Sequence, residues 1–220
     1  MKKNCLLILL CLLFGTNSFA QKGKYGTFYD QRTTLFENLP IRSTDIVFLG
    51  NSLTNGCEWA ELFGNPRIKN RGISGDEVMG IYDRINPILR GKPAKIFLLT
   101  GVNDVSHDLS ADSILVMYTK LVDKIRKDSP RTKLYIQSLL PVNDEFTRFP
   151  KVHNKTQIII DINKGLKALA KEKKCTYIDL YPHFLAPGTQ SLEKKYTNDG
   201  LHLLGAGYLK WKEIIRPFVD

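Results

Sequence analysis

Three side chains that together can hydrolyse an ester lie far apart in this chain. Ser52 follows an apolar run at residues 45–50, and Asp199 precedes His202 by three residues. A serine attacks a carbonyl carbon when a histidine takes its proton and a carboxylate orients that histidine. A turn can point residues three apart in the same direction, so one loop can supply both Asp199 and His202. The pattern predicts catalysis with Ser52 as nucleophile, His202 as base and Asp199 as the group that orients His202.

Hydrogen-bond donors must also stabilise the charge that develops on the ester oxygen. The backbone N–H of Ser52 is expected at a strand-to-helix turn, where helix amides lack partners. Gly72 lets a backbone N–H approach a substrate because no side chain stands in the way. Asn103 offers a side-chain amide. The predicted oxyanion hole therefore consists of Ser52, Gly72 and Asn103.

Strand-like and helical segments alternate along the chain. Two of the β-rich segments are continuously apolar, at 46–49 and 96–99, which is typical of strands buried on both faces of a parallel sheet. The predicted strands are 45–50, 68–73, 95–101, 133–140 and 175–180. The predicted helices are 28–39, 76–89, a segment between the cap Ser110 and Pro130, 154–173 and 206–218.

This alternation predicts a doubly wound α/β sandwich with right-handed crossovers. The chain has 220 residues and 43% hydrophobic content, which suits one domain, predicted at 21–220. Ligands of such folds bind beyond the carboxyl ends of the strands. Ser52, Gly72 and Asn103 each end or follow a predicted strand. We therefore expect them at the same edge of the sheet.

The first twenty residues are interpreted as a secretory signal peptide. Lys2 and Lys3 precede a short apolar run, and Ser18-Phe19-Ala20 is a small-x-small cleavage site. A retained membrane anchor is the alternative, but the apolar run is short for a bilayer span. Cleavage after Ala20 lowers the formal net charge from +10 to +8 because two lysines leave. The prediction is a secreted or periplasmic protein.

Four sequence blocks together resemble the SGNH (GDSL-type) hydrolase family. The blocks are Gly50-Asn51-Ser52-Leu53-Thr54, Asn70-Arg71-Gly72, Gly101-Val102-Asn103-Asp104 and Asp199-Gly200-Leu201-His202. The resemblance spans nearly all of residues 21–220. It implies a flavodoxin-like three-layer α/β/α sandwich with a five-stranded, mainly parallel sheet. It also implies a serine esterase that uses neither a cofactor nor a metal.

One position departs from the family pattern, and one other hydrolase architecture is disfavoured. The family usually has Asp before the serine, whereas this chain has Asn51. Asn51 can still form a hydrogen bond to the local turn, so we expect tuned activity without loss of function. The other architecture is the α/β-hydrolase, whose nucleophile elbow needs a second glycine where Thr54 stands. That architecture also separates its acid from its histidine, unlike this chain.

Several other residues are assigned structural roles. Asp104 is expected to hold the site loops together, and His107 to be a loop residue, with pocket lining as the alternative. Trp59 suits the core or the pocket wall equally well. Cys57 and Cys175 would lie at opposite edges of the sheet, so no disulfide is predicted. The scattered lysine pairs lack interleaved aromatic residues, which disfavours a nucleic-acid partner.

The substrate is the least determined part of the prediction. Loops 141–153 and 181–198 are expected to shape the pocket, and their aromatic and cationic residues suit a sugar or a lipid head group; these residues are Phe146, Arg148, Phe149, Phe184, Lys194 and Tyr196. The resemblance includes exported acetylesterases and platelet-activating-factor acetylhydrolase-like members. It favours O-deacetylation of a carbohydrate. The alternatives are a lipid-directed esterase and a glycan-binding relative without catalysis.

Overall fold

Five parallel strands form the centre of the structure. The computed structural model describes residues 23–220, with strands β1 (Ile46–Gly50), β2 (Ile68–Gly72), β3 (Lys95–Leu99), β4 (Lys133–Gln137) and β5 (Thr176–Ile178). Their order in the sheet is β2-β1-β3-β4-β5, and every neighbouring pair is parallel. The chain order reverses beside β1, so the carboxyl end of β1 lies at the crevice where such folds bind ligands.

Helices cover both faces of the sheet. They are α1 (Thr27–Glu37), α2 (Ser52–Asn55), α3 (Trp59–Phe63), α4 (Val78–Arg84), α5 (Asn86–Arg90), α6 (Val102–Ser106), α7 (Ala111–Asp128), α8 (Thr156–Glu172) and α9 (Gly205–Val219). Along β1, Val47 and Leu49 enter a core shared with α4, α5, α7 and α8, whereas Ile46 and Phe48 enter one shared with α3 and α9. This alternation follows the period of two in a strand. The predicted three-layer α/β/α sandwich is confirmed.

One predicted helix is divided in the structure for an identifiable reason. The helix predicted at 76–89 is two helices, α4 and α5, which meet at Ile85. Pro87 lies in the first turn of α5 and has no N–H to donate to the carbonyl four residues earlier, so a helix that continued through it would lose a backbone bond. By contrast, the Ser110 hydroxyl accepts the Ser113 N–H at 3.2 Å, which confirms the predicted cap of α7.

Strand β4 ends three residues before the predicted boundary because side chains satisfy the next backbone groups. Asn163 of α8 accepts the Leu139 N–H at 2.8 Å and donates to the Leu139 carbonyl at 3.1 Å. The Ser138 hydroxyl accepts the N–H groups of Leu180 and Tyr181, both at 2.9 Å. The Ser138 N–H still donates to the Ile178 carbonyl at 3.0 Å. Beyond it the side-chain bonds replace the ladder, so the chain can turn toward the site after residue 138.

The predicted signal peptide lies outside the described residues. Within 23–220, no helix has the length and hydrophobicity needed to cross a bilayer. Cys57 and Cys175 are both free thiols and pack on opposite faces of the sheet.

Candidate active site

Ser52 lies at the junction of β1 and α2. The buried Asn51 accepts the Leu53 N–H at 3.0 Å through its side-chain oxygen and thereby caps α2. A Cβ on Gly50 would lie 2.2 Å from the Leu99 carbonyl oxygen, so only glycine fits at this strand end. Ser52 is the first residue of α2 and lines a cavity of about 510 Å³ at the carboxyl edge of the sheet.

The structure brings Ser52, His202 and Asp199 into one hydrogen-bonded chain. His202 Nε2 lies 2.9 Å from Ser52 Oγ, and His202 Nδ1 lies 2.8 Å from Asp199 Oδ2. The other carboxylate oxygen, Oδ1, accepts the N–H groups of Leu201 at 2.9 Å and His202 at 2.7 Å. The intervening Gly200 has a φ of 85°, which allows the tight turn between acid and base. The catalytic roles of the three residues remain predictions.

The charge of Asp199 determines which nitrogen of His202 carries a proton. Burial raises the pKa of Asp199, but the N–H groups of Leu201 and His202 and the His202 ring stabilise the carboxylate, so the net pKa lies below its usual value. An ionised Asp199 can only accept, so the neutral imidazole carries its proton on Nδ1. Nε2 is then free to accept the Ser52 hydroxyl proton.

The prediction for Gly72 needs correction. Its N–H donates to the Asn70 side chain at 2.8 Å, and Gly72 does not line the Ser52 cavity. A Cβ on Gly72 would lie 2.3 Å from the Asn55 backbone nitrogen, so glycine is required for β2 to pack against α2. Gly72 therefore supports the helix that begins with Ser52 and has no free amide for an oxyanion.

Gly75 occupies the position that sequence reasoning assigned to Gly72. It lines the cavity together with Ser52 and Asn103, its φ is 81°, and a Cβ there would meet nothing within 4 Å. Glycine is therefore favoured here by the positive φ of the backbone, and the space beside its Cα is open. Ser74-Gly75 is a turn dipeptide that follows a predicted strand, and this is the signal that could have identified it.

Asn103 has the orientation that a side-chain donor needs. Its Nδ2 donates to the Asp76 carbonyl at 2.8 Å, and because a carbonyl only accepts, this bond fixes the amide orientation. The second N–H of the same nitrogen is left for a ligand. Asn103 also lies in the first turn of α6 and lines the cavity.

Buried carboxylates hold the loops beneath the cavity. Asp76 pairs with Arg84 at 2.7 Å, and Arg84 also donates to the carbonyls of Gly50 and Arg71 at 3.2 and 2.9 Å. This guanidinium joins the ends of β1 and β2 to the loop that carries Gly75. Both oxygens of Asp104 accept the Val78 N–H, at 3.3 and 3.2 Å. Burial raises the pKa of Asp104 to about 7.

The remaining candidates divide between cavity and core. Phe149 lines the cavity and packs edge-on against the His202 ring at 5.0 Å, and Arg148 also lines it. The prediction that Phe184 and Tyr196 shape the pocket is wrong, because both are buried and pack against each other at 5.3 Å. Trp59 belongs to the core, stacked on Phe48 at 4.4 Å.

His107 lies outside the cavity wall. It ends α6 and contacts Glu77 at 2.9 Å, as expected for a loop residue. In the part of the chain from 23 to 220, no group of three or more His, Cys, Asp or Glu residues is arranged to hold a metal ion.

Comparison with known proteins identifies the family of this chain. Residues 48–210 match the model of the GDSL-like lipase/acylhydrolase family, and this range contains Ser52, Asn103, Asp199 and His202. The chain belongs to the GDSL-like lipase/acylhydrolase family. It is accordingly a carboxylic ester hydrolase, as the sequence predicted.

Two curated proteins and one solved structure illustrate the relationship. The chain is 28% identical over 177 residues to human platelet-activating factor acetylhydrolase IB subunit alpha2, covering 77% of this chain and 73% of that protein. It is 27% identical over 168 residues to Escherichia coli N-acylneuraminate cytidylyltransferase, covering 75% of this chain but only 38% of that enzyme. A Streptococcus pneumonia structure named for platelet activating factor is 26% identical with a TM-score of 0.81, covering 88% and 93% of the two chains.

Proposed function

We propose that this GDSL-like hydrolase is an exported serine esterase that removes short acyl groups, chiefly acetyl, from carbohydrates. The observation that carries the proposal is the chain Ser52–His202–Asp199, with bonds of 2.9 and 2.8 Å, beside a cavity of about 510 Å³. That volume lies within the range of small-molecule sites. A serine hydroxyl in contact with an oriented imidazole is the arrangement that acyl transfer requires.

Acylation would begin when Ser52 Oγ attacks the ester carbonyl carbon. The hydroxyl proton passes to His202 Nε2 at 2.9 Å, while Asp199 stabilises the imidazolium that forms. The carbonyl oxygen becomes an oxyanion that accepts from the Ser52 and Gly75 backbone N–H groups and from Asn103 Nδ2. Collapse of this intermediate breaks the ester bond, and His202 returns the proton to the departing alcohol.

Deacylation repeats the sequence with water. His202 takes a proton from a water molecule whose oxygen attacks the acyl carbon on Ser52. The second tetrahedral intermediate uses the same three donors. Its collapse releases the carboxylic acid and returns the proton to Ser52 Oγ, which restores the resting enzyme.

The proposal of a short acyl group and a polar alcohol rests on the cavity wall. Hydroxyl and amide groups of Ser74, Ser106 and Asn103 line it together with the apolar Phe149 and Leu201. An apolar patch suits a methyl group or a sugar face, and the polar groups suit hydroxyls. Export is supported by the basic, apolar and small-residue segments of residues 1–20.

A lipid-directed esterase is the second candidate. It is favoured by the 28% identity to human platelet-activating factor acetylhydrolase IB subunit alpha2. That protein's name indicates removal of an acetyl group, so the two candidates share the acyl group and differ in the alcohol. Hydrolysis rates for acetylated sugars and for acetylated lipids distinguish them.

The decisive experiment compares 4-nitrophenyl acetate hydrolysis by the wild-type chain and by Ser52→Ala. We expect the variant to lose at least about 10³-fold in kcat/KM because the nucleophile is absent. Ser43→Ala, at an exposed serine on the opposite edge, is the matched control and should keep full activity. Equal slow hydrolysis by wild type and Ser52→Ala would refute the esterase and favour a glycan-binding protein without catalysis.

Acyl-chain length tests the finer proposal. A series from acetate to octanoate esters should give the highest kcat/KM for acetate. A flat profile or a preference for long chains would contradict the deacetylase and leave a general or lipid-directed esterase.

A further inference from the structure

The cavity beside Ser52 is lined by charge of one sign. Apart from His202, its lining contains two ionisable side chains, Arg148 and Lys151, and both are cationic. No carboxylate of the described residues lines it, because Asp199 lies behind the His202 ring, bonded to Nδ1. A cavity lined by charge of one sign concentrates ligands of the other sign. A bound ester would therefore meet two positive charges and no negative side chain.

Among the residues from 23 to 220, neither Arg148 nor Lys151 is held in an ion pair, although Lys151 attracts Asp108, whose pKa is lowered chiefly by Lys155 and to a smaller extent by Lys151. The nearby acids have other partners: Glu145 pairs with Lys194 at 2.7 Å, and Asp108 pairs with Lys155 at 2.6 Å. A cation without an intramolecular partner loses no existing contact when it binds an anion.

The segment that carries these cations is anchored at both ends. Asn143 donates through its backbone to the Gly200 carbonyl at 2.9 Å and through its side chain to the Leu192 carbonyl at 2.8 Å. The Asp144 carboxylate accepts the Asn154 N–H at 2.9 Å. Between these points, the buried Val152 packs the short 3₁₀ helix Pro150–Val152 against the core.

Phe149 links this segment to the catalytic residues. It lies between Arg148 and the 3₁₀ helix that contains Lys151, and its ring packs on His202 at 5.0 Å. The two cations therefore flank a residue in contact with the proposed base. A pre-organised segment binds a ligand at lower conformational cost than a mobile one.

We propose that Arg148 and Lys151 form an anion subsite that selects esters whose alcohol part carries a carboxylate or phosphate near the acyl group. The inference rests on the proposed function, since it assigns a substrate class to the same cavity. Arg148 supplies a planar guanidinium that can bind two oxygens at once, and Lys151 supplies a point charge. An acylated acidic sugar and an acylated phosphate ester both present this chemistry.

Two matched pairs of acetates test the subsite and separate its possible ligands. The first pair is an O-acetylated methyl glucuronoside and its uncharged uronamide. The second is an acetylated glycerol phosphate and acetylated glycerol. We expect kcat/KM for the charged member to exceed that of the neutral member by about tenfold in at least one pair, because charge-assisted hydrogen bonds have that strength. The pair with the larger ratio shows whether the preferred anion is the carboxylate of a sugar or the phosphate of a glycerol ester.

Variants then assign the effect to the two cations. Arg148→Gln and Lys151→Gln should each reduce the charged-to-neutral ratio by about threefold, since two such factors multiply to the tenfold preference of the wild type, and Arg148→Lys should reduce it less than Arg148→Gln. The controls Arg131→Gln and Lys127→Gln remove the same charge at exposed positions on a different groove and should leave the ratio unchanged. A wild-type ratio near one in both pairs, or an equal fall in the control variants, would overturn the proposal.

A binding measurement keeps the inference separate from catalysis. Calorimetric titration of Ser52→Ala with the glucuronoside and with the uronamide should show tighter binding of the charged ester. Adding Arg148→Gln should reduce the difference, and adding both Arg148→Gln and Lys151→Gln should abolish it. If the wild type cleaves no ester and this charge preference persists, the subsite stands and the esterase proposal falls. If binding is equal for both ligands, the subsite is refuted whatever the catalytic result.

Discussion

Replacing Asp199 by Asn tests the proposed orientation of His202 with almost no change in shape. Asp199 Oδ1 accepts two backbone N–H groups, from Leu201 and His202, at 2.9 and 2.7 Å. An Asn side chain must keep its oxygen at this position, because its NH₂ group cannot accept from those donors. The NH₂ group is then forced to face His202 Nδ1, where it donates.

This reversal places the imidazole proton on the wrong nitrogen. With Nδ1 accepting from the amide of the Asp199→Asn variant, neutral His202 carries its proton on Nε2 and cannot accept the Ser52 proton across the 2.9 Å contact. We expect kcat/KM to fall by about 10⁴-fold. Four factors of ten correspond to about 5.4 kcal/mol of transition-state stabilisation. The fold should be retained, since both backbone bonds to the side-chain oxygen remain.

The assay is 4-nitrophenyl acetate hydrolysis near neutral pH, with thermal denaturation measured on the same samples. Asp161→Asn, at a half-buried position in α8 where the carboxylate contacts only other side chains of that helix, is the control for loss of one carboxylate and should behave as wild type. The orientation argument predicts a large loss of rate at an unchanged Tm. A decrease of less than about tenfold in kcat/KM at unchanged Tm would refute the role of Asp199.

Three further predictions concern the loops around the cavity. Gly75→Ala and Gly64→Ala both force a residue with positive φ beside open space, at 81° and 62°, so both should lose about 1–2 kcal/mol of stability. Only Gly75→Ala should also lower kcat/KM, by at least about tenfold, since it displaces a proposed oxyanion donor; an equal activity in both would contradict that role. Asn103→Ala should lower kcat by about 10²-fold or more with little change in KM, and a pure KM effect would count against it. For Asp104, the folded-state pKa of about 7 exceeds its ordinary 3.8, so the folded protein binds the proton more tightly and this group's contribution to stability falls as pH rises between these values. Over this pH range, the contribution of Asp104 to the free energy of unfolding changes by at most about 4 kcal/mol. Asp104→Asn should therefore lose less stability than wild type as the pH rises from about 4 to about 7 in chemical denaturation, and parallel profiles would refute the assignment.

The glycine in the second block shows where sequence reasoning reached its limit. Gly72 lies at the end of the second predicted strand and Gly75 follows it, and the residue types alone do not say which amide is free. The answer depends on Asn70, whose side chain takes the Gly72 N–H, and on the positive φ of Gly75. The bond from Asn70 exists only in the folded chain, so the residue types do not show that the Gly72 amide is taken; the turn dipeptide Ser74-Gly75 is a local signal for the second glycine.

Arg84 illustrates a second limit. Arg84 lies inside the helix predicted at 76–89, and a basic residue in a helix is usually exposed to solvent. In the fold it is buried, pairs with Asp76 at 2.7 Å and donates to carbonyls on two strands. The partners lie between 8 and 34 residues away, so this role appears only when the strands are assembled.

Helix and strand types, the parallel sheet and the candidates Ser52, Asn103, Asp199 and His202 could be predicted from the sequence. The reason is that apolar periodicity, turn residues and block order are local or nearly local properties. Tertiary structure alone decided the 2.9 Å contact between Ser52 and His202, which joins residues 150 positions apart. It also decided which glycine amide is free and which cations face the cavity without a partner. These properties depend on distances and hydrogen-bond competition between separate elements, and they exist only once the sheet brings its loops to one edge.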